Sequence, residues 1–164
     1  MPGAARIGDP VSHPLPGMLG PGPGSPTVLI GMKPAWRGVP SAAADAVKSA
    51  KDASDQVIAA AEKATQAASG TPGYPAAKAA EETAKATAAT AMGSMISGAA
   101  GGADIHVCAV PLPVPPHGPG VVVDGSATVL INNLPAARQG DTIVEAVGPP
   151  DKITTGDATV LIGD

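Results

Sequence analysis

Two patterns of apolar positions divide this chain. Thr27-Val28-Leu29-Ile30, Thr128-Val129-Leu130-Ile131 and Thr159-Val160-Leu161-Ile162 are short β-branched, apolar runs bounded by Gly, Pro, Asn or Asp. Each is predicted to be a strand that ends in a turn. Asn132-Asn133 after one copy and Gly31 after another tolerate the positive φ of a tight hairpin. Residues 41–100 follow another pattern, dense in Ala with Lys, Asp, Glu and Gln interspersed. There Ser41 is expected to cap a helix over Ala42 to Ser69. Gly70-Thr71-Pro72-Gly73-Tyr74-Pro75 reads as a turn, with Pro75 suited to the first helical position, and Ala76 to about Ser97 as a second helix. Two helices joined by so short a turn predict an antiparallel hairpin with arms of roughly 42 and 33 Å.

The strand-like runs belong to a longer repeat. Pro34-Ala35-Trp36-Arg37-Gly38 follows the first copy and Pro135-Ala136-Ala137-Arg138-Gln139-Gly140-Asp141 the second. The third copy stops at Asp164, and its missing half stands at the other end of the chain as Pro2-Gly3-Ala4-Ala5-Arg6-Ile7-Gly8-Asp9. The repeat is circularly permuted, so the termini are expected side by side and three units around one pseudo-threefold axis. The competing reading, an accidental low-complexity match, must explain both the shared Thr-Val-Leu-Ile and the shared order of halves. The Arg-x-Gly-Asp ends are expected to be turns in which Arg pairs with a carboxylate, a contact of little worth at a surface. Residues 1–40 and 101–164 thus form a discontinuous β part, with 41–100 inserted into it.

Composition narrows the function. With 21 Gly, 19 Pro, one Trp, one Tyr and no Phe in 164 residues, the usual aromatic core is absent. A β part of about a hundred residues with few large side chains needs a staple, such as a metal, or a partner. A net charge of −4 argues against nucleic acid as the main partner. No secretory signal is visible at the N-terminus, and one Cys excludes an intrachain disulfide. The uncharged stretch Ala86–Ala103 is a weak membrane-span candidate because of its Thr, Ser and Gly; packing on the β part or a partner is the favoured use of that face.

All three histidines and the cysteine fall between repeat units: His13 after the first, His106, Cys108 and His117 on the proline-rich return from the helices. In an extended segment His106 and Cys108 point to one side. With one imidazole from each flanking loop they would make a His3Cys tetrahedron suited to Zn²⁺. The spacing is no standard zinc-finger pattern, and exposed loop histidines beside a buried thiol remain the alternative. A four-ligand closed site would be structural. The chain has no His-Glu-x-x-His motif, no phosphate-binding Gly-rich loop and no nucleophile elbow, so it carries no enzyme signature.

Pro135-Ala136-Ala137-Arg138, with the Thr-Val-Leu-Ile strands and Gly-Asp turns, resembles the PAAR-repeat family, proteins that cap the spike of type VI secretion and related contractile injection systems. The resemblance covers residues 1–40 and 101–164. The second copy departs from it, with Trp36 inside the motif and Gly38-Val39 in place of Gly-Asp, followed by the inserted hairpin. The resemblance implies a mainly β fold, a small cone of short antiparallel strands with pseudo-threefold symmetry, carrying here an inserted antiparallel α-helical hairpin. It implies one structural zinc ion near the apex held by His13, His106, Cys108 and His117. It also implies a broad base that docks on a trimeric β-helical spike of the VgrG or gp5 type. Expected with it are a protein made in the bacterial cytoplasm and delivered by the spike, contact with a target membrane only in passing, and no enzymatic activity. Family members often carry terminal toxins, and none is expected here because Asp164 directly follows a repeat strand. The hairpin is expected to brace the spike or to recruit a separate effector or baseplate component. A zinc hydrolase is the remaining reading, and would need an open coordination position.

Overall fold

The fold is seen in a computed structural model, which describes residues 1–13, 17–108 and 117–164. Strands β1 (Gly3–Ala4), β2 (Pro10–Val11), β3 (Gly17–Met18), β4 (Pro21–Gly22), β5 (Leu29–Ile30) and β6 (Lys33–Pro34) precede helices α1 (Ser41–Ala67) and α2 (Tyr74–Ala99). After them come β7 (Ile105–Val107), β8 (Pro119–Val122), β9 (Leu130–Ile131), β10 (Leu134–Pro135), β11 (Thr142–Glu145), β12 (Asp151–Lys152) and β13 (Asp157–Leu161). The pairings are antiparallel throughout: four two-stranded ribbons, and one five-stranded sheet ordered β12-β11-β8-β7-β4. The chain is mainly β with an inserted helical hairpin, as the repeat predicts.

The three motif segments close on one another. The Ala5 N–H donates to the Ala137 carbonyl (2.9 Å), Ala137 N–H to Trp36 (3.0 Å), and Trp36 N–H to Ala5 (2.8 Å). A second ring, of the opposite sense, runs from Ile7 to Pro34 (3.0 Å), from Gly38 to Pro135 (2.8 Å) and from Gln139 to Gly3 (2.8 Å). Each segment satisfies backbone groups of the next, so the axis has no open strand edge. Two units turn through tight hairpins whose central residues all have positive φ: Gly31 and Met32 (54° and 65°), Asn132 and Asn133 (52° and 63°). In the third unit β1 and β13 pair instead, setting Gly3 opposite Leu161 and joining the two ends of the chain.

Side chains stack in threefold layers along the axis. At one end Ala4, Ala35 and Ala136 pack with Ile30, Ile131 and Ile162. Next come Ala5, Trp36 and Ala137, with Leu19, Val122 and Ile153 around them. Three indoles would not fit one axis; a single Trp36, fully buried between two alanines, supplies the volume that a core without Phe lacks.

The hairpin shares this packing. Val47 of α1 and Met92 and Ile96 of α2 are buried against Val121, Val144 and Ala146. Farther out, Lys85 bridges to Glu62 across the helices at 2.7 Å, and the Thr65 hydroxyl donates to the Ala77 carbonyl. The expected cap at Ser41 is not found. Pro40 occupies the N-cap in an extended conformation (φ −57°, ψ 151°) and Ser41 is the first helical residue, with no side-chain cap. A proline there fixes the chain direction out of Val39, which is tied by its N–H to the Val122 carbonyl at 3.0 Å. Pro75 lies in the first turn of α2, as expected, and that helix runs two residues farther at each end than its sequence pattern suggested. No helix among the described residues is long and apolar enough to cross a membrane.

Candidate metal centre

Each repeat sends one arm away from the ring, and an Arg–Asp pair sets its start. The Arg6 backbone N–H and Nε donate to Asp9 at 2.9 and 3.1 Å, and the Arg138 pair donates to Asp141 at 2.7 and 3.2 Å. The second repeat has Val39 where the others have glycine, and no Asp follows. Its carboxylate comes from beyond the insertion: Asp104 accepts from the Arg37 N–H, Nε and terminal nitrogen at 2.8, 3.0 and 2.8 Å. The three aspartates return the same bond, each N–H donating to its arginine carbonyl at 3.1 Å. The hairpin is therefore an insertion inside the second Arg–Asp turn.

From these aspartates the period of two in an extended chain decides what faces the axis. Two residues on are Val11, His106 and Ile143, so His106 occupies an apolar core position of the other repeats and is buried. Four residues on are His13, Cys108 and Glu145. His117 enters from the return strand of the second repeat, and Asp151 from that of the third, opposite Ile143. The rest of the proline-rich return, 109–116, and residues 14–16 lie outside the described residues.

These side chains converge at the end of the stack away from the ring. His13 Nε2 lies 2.9 Å from His117 Nδ1, and that same Nδ1 lies 2.6 Å from Glu145 Oε2. His106 Nε2 is 3.4 Å from Glu145 Oε1, and Asp151 Oδ2 is 3.9 Å from His13 Nε2. Cys108 Sγ stands 4.0 Å from Nδ1 of His13, on the other edge of that ring. Four donors, from His13, His117, Glu145 and Asp151, lie within 4.8 Å of one another. Of the four residues singled out in the sequence, His13 and His117 belong to this group; His106 stands against the far oxygen of Glu145, and Cys108 behind His13, on its other edge. Glu145 and Asp151 were missed by a search confined to His and Cys. The repeat itself marks Glu145, which stands four residues after its Asp as His13 and Cys108 do; Asp151 has no such mark, because Gly17 and Gly120 hold the equivalent positions.

The cluster is poorly satisfied by protein alone. Both ring nitrogens of His106, Oε1 of Glu145 and Oδ2 of Asp151 are buried without a hydrogen-bond partner. Burial lowers His106 to about 4, helped by neighbouring His13, so its imidazole is neutral and free to ligate at pH 7. His117 is lowered for the same reasons. Burial, with Asp151 beside it, raises Glu145 to about 8, and burial raises Asp151. Imidazole nitrogens and carboxylate oxygens buried together with few protein partners form the donor set a divalent cation would satisfy, so these residues fit a metal ion. Gly148 packs beneath the centre: with φ at 93°, a Cβ there would lie 3.1 Å from His117 Nε2.

Comparison with known proteins agrees with this architecture. The PAAR motif family model matches residues 88–144 and again 112–164, so the two matches overlap across the third motif segment. No curated protein and no solved structure matches the chain. The closed ring of motif segments extends the same unit to the N-terminal copy and to the one around Trp36. The chain thus carries the PAAR motif over residues 88–164 and repeats its unit in the two N-terminal motif segments, with a helical hairpin inserted in the second repeat.

Proposed function

We infer that this protein is a non-enzymatic tip that caps a trimeric β-helical spike of the VgrG or gp5 type in a contractile injection system and sharpens it for envelope puncture. One observation carries the reading. Leu29, Leu130 and Leu161 hold the same repeat position and are 64, 57 and 50 % exposed, while the next residues, Ile30, Ile131 and Ile162, are buried. A threefold set of exposed leucines on a monomer suits the end of a threefold partner, which one asymmetric patch would not. At the opposite end, one zinc ion held by residues of the His13, His106, Cys108 and His117 cluster would pin the apex; bound there, it supplies cross-linking rather than chemistry. The reading includes synthesis in the bacterial cytoplasm, delivery beyond the cell on the spike, passing contact with the target membrane and no nucleic-acid partner.

The test is co-purification with a trimeric spike protein. Replacing Leu29, Leu130 and Leu161 together by Glu is expected to abolish the complex while leaving the helical signal intact. Retained binding would sink the proposed base.

A second reading makes the hairpin an adaptor for a separate effector or baseplate component. It is favoured by an open apolar groove along the helices, where Val57 is 59 % exposed beside Ala84, Ala88 and Met95. Because Val47, Met92 and Ile96 belong to the shared core, the informative variant leaves them in place and puts Glu on the groove at Val57 and Ala88. Spike binding that survives with cargo loading lost supports the adaptor; failure of assembly itself supports a brace.

A further inference from the structure

We propose that Glu145 is itself a metal ligand, sharing the ion with His13 and His117 at the end of the stack. The inference rests on the metal-pinned reading above and goes beyond its set of three histidines and one cysteine.

Placement is the first argument. His13, Cys108 and Glu145 are each the fourth residue after a repeat aspartate, Asp9, Asp104 or Asp141, whose turn geometry is the same. The arms therefore deliver them to one level of the stack. Gly120 on the neighbouring strand makes room: a Cβ there would lie 2.9 Å from Glu145 Cγ.

Aim is the second. A carboxylate that only orients a ligating histidine accepts from the ring nitrogen that faces away from the metal. Here Glu145 Oε2 approaches Nδ1 of His117, the nitrogen that already faces His13 Nε2 at 2.9 Å. Oε2 is 2.6 Å from that Nδ1 and 4.0 Å from His13 Nε2. Two nitrogen or oxygen donors sharing a tetrahedral zinc ion stand about 3.3 Å apart, given bonds of about 2.0 Å. The observed spacings bracket that value. The second oxygen, Oε1, faces His106 Nε2 at 3.4 Å and has no other partner.

Charge is the third. Three neutral imidazoles and one deprotonated cysteine leave a divalent ion with a net positive charge in a buried site. A carboxylate ligand brings negative charge into direct contact with the ion and offsets that buried charge. Asp151 Oδ2 lies 3.9 Å from His13 Nε2 and belongs to the same group of four donors.

The test uses the full chain purified with zinc. X-ray absorption at the zinc edge counts imidazole, sulfur and carboxylate neighbours directly, and competition with a chromophoric chelator gives the affinity of wild type and E145Q. The expected result is a carboxylate oxygen among the nearest neighbours and an affinity for E145Q lower by at least roughly 100-fold, beyond the range usual for outer-sphere partners. A shell of sulfur and three imidazoles alone, with E145Q within about tenfold of wild type, would overturn the assignment and leave the metal-pinned reading intact. If E145Q does not fold, the spectrum of D151N decides: a carboxylate neighbour that persists there is Glu145, and one that disappears would overturn the assignment. Wild type that retains no stoichiometric metal would overturn both.

Discussion

Arg37 and Asp104 are 67 positions apart in sequence, yet they make the contact that Arg6 makes with Asp9 and Arg138 with Asp141 over 3 positions. The chain leaves the second repeat after Val39, builds a helical hairpin and returns in time to complete the turn. Asp104 is fully buried and Arg37 nearly so, and the Arg37 terminal nitrogen also donates to the Gly24 carbonyl at 2.9 Å. Asp104 Oδ1 in turn accepts the Gly24 N–H at 2.8 Å. The pair thus locks the hairpin's root to two repeats.

Removing one partner of such a pair leaves a buried charge. Asp104→Ala is expected to cost about 3–5 kcal/mol. Asp9→Ala, whose partner Arg6 is partly exposed and keeps Asp157, is expected to cost less. Denaturant unfolding of both variants measures the difference, and equal costs would contradict the special role given to Arg37.

Trp36→Ala removes the one large side chain from the axial layer. A loss of about 3–5 kcal/mol is expected, as for other fully buried aromatic residues. Tryptophan fluorescence of the wild type should report a single buried indole, since the chain has no other Trp. Unfolding that is unchanged by the substitution would mean the layer is not closed as described.

Much of this was legible in the sequence. The broken third repeat at Asp164 and its completion by Pro2 to Asp9 foretold that β1 and β13 would pair. The Thr-Val-Leu-Ile runs showed where strands lie, because β-branched residues next to turn formers leave few alternatives. Asp104 was not legible, since the helical insertion separates it from its arginine and only folding restores the spacing. Glu145 was hidden for a different reason: a lone Glu in a strand reads as solvent-facing until the repeat's register turns it inward. Ser41 was misread because a good capping side chain preceded the helix pattern, while Pro40 had already fixed the backbone.

Gly148 is predicted to matter to metal affinity without donating to the metal. Its φ of 93° and its contact beneath His117 leave no room for a methyl group. Gly148→Ala should displace the imidazole and weaken zinc binding roughly 10–100-fold, the usual scale for a disturbed supporting contact. Chelator competition at neutral pH reads this, and an unchanged affinity would remove His117 from the proposed donor set.

Acid should loosen the distal hairpin through Glu81. Hydrogen bonds from Lys78 and then Lys85 lower its carboxyl from 4.5 to about 2. A carboxylate whose folded value is depressed contributes stability that is full above its unfolded value and is lost as pH falls through the folded one. The window is therefore from about pH 4.5 down to about 2. Helical ellipticity against temperature, compared between wild type and E81Q, should show the two converging across that window. A constant difference would mean the carboxylate is not engaged.

The central claim is that one chain with three quasi-equivalent repeats faces a true trimer. Its most direct test is the mass of the complex with a trimeric spike protein, measured in solution by light scattering or native mass spectrometry. The account predicts one copy of this chain per three spike chains, with no second copy binding at higher ratios. A complex with three copies per trimer, or no complex with any such spike, would contradict it.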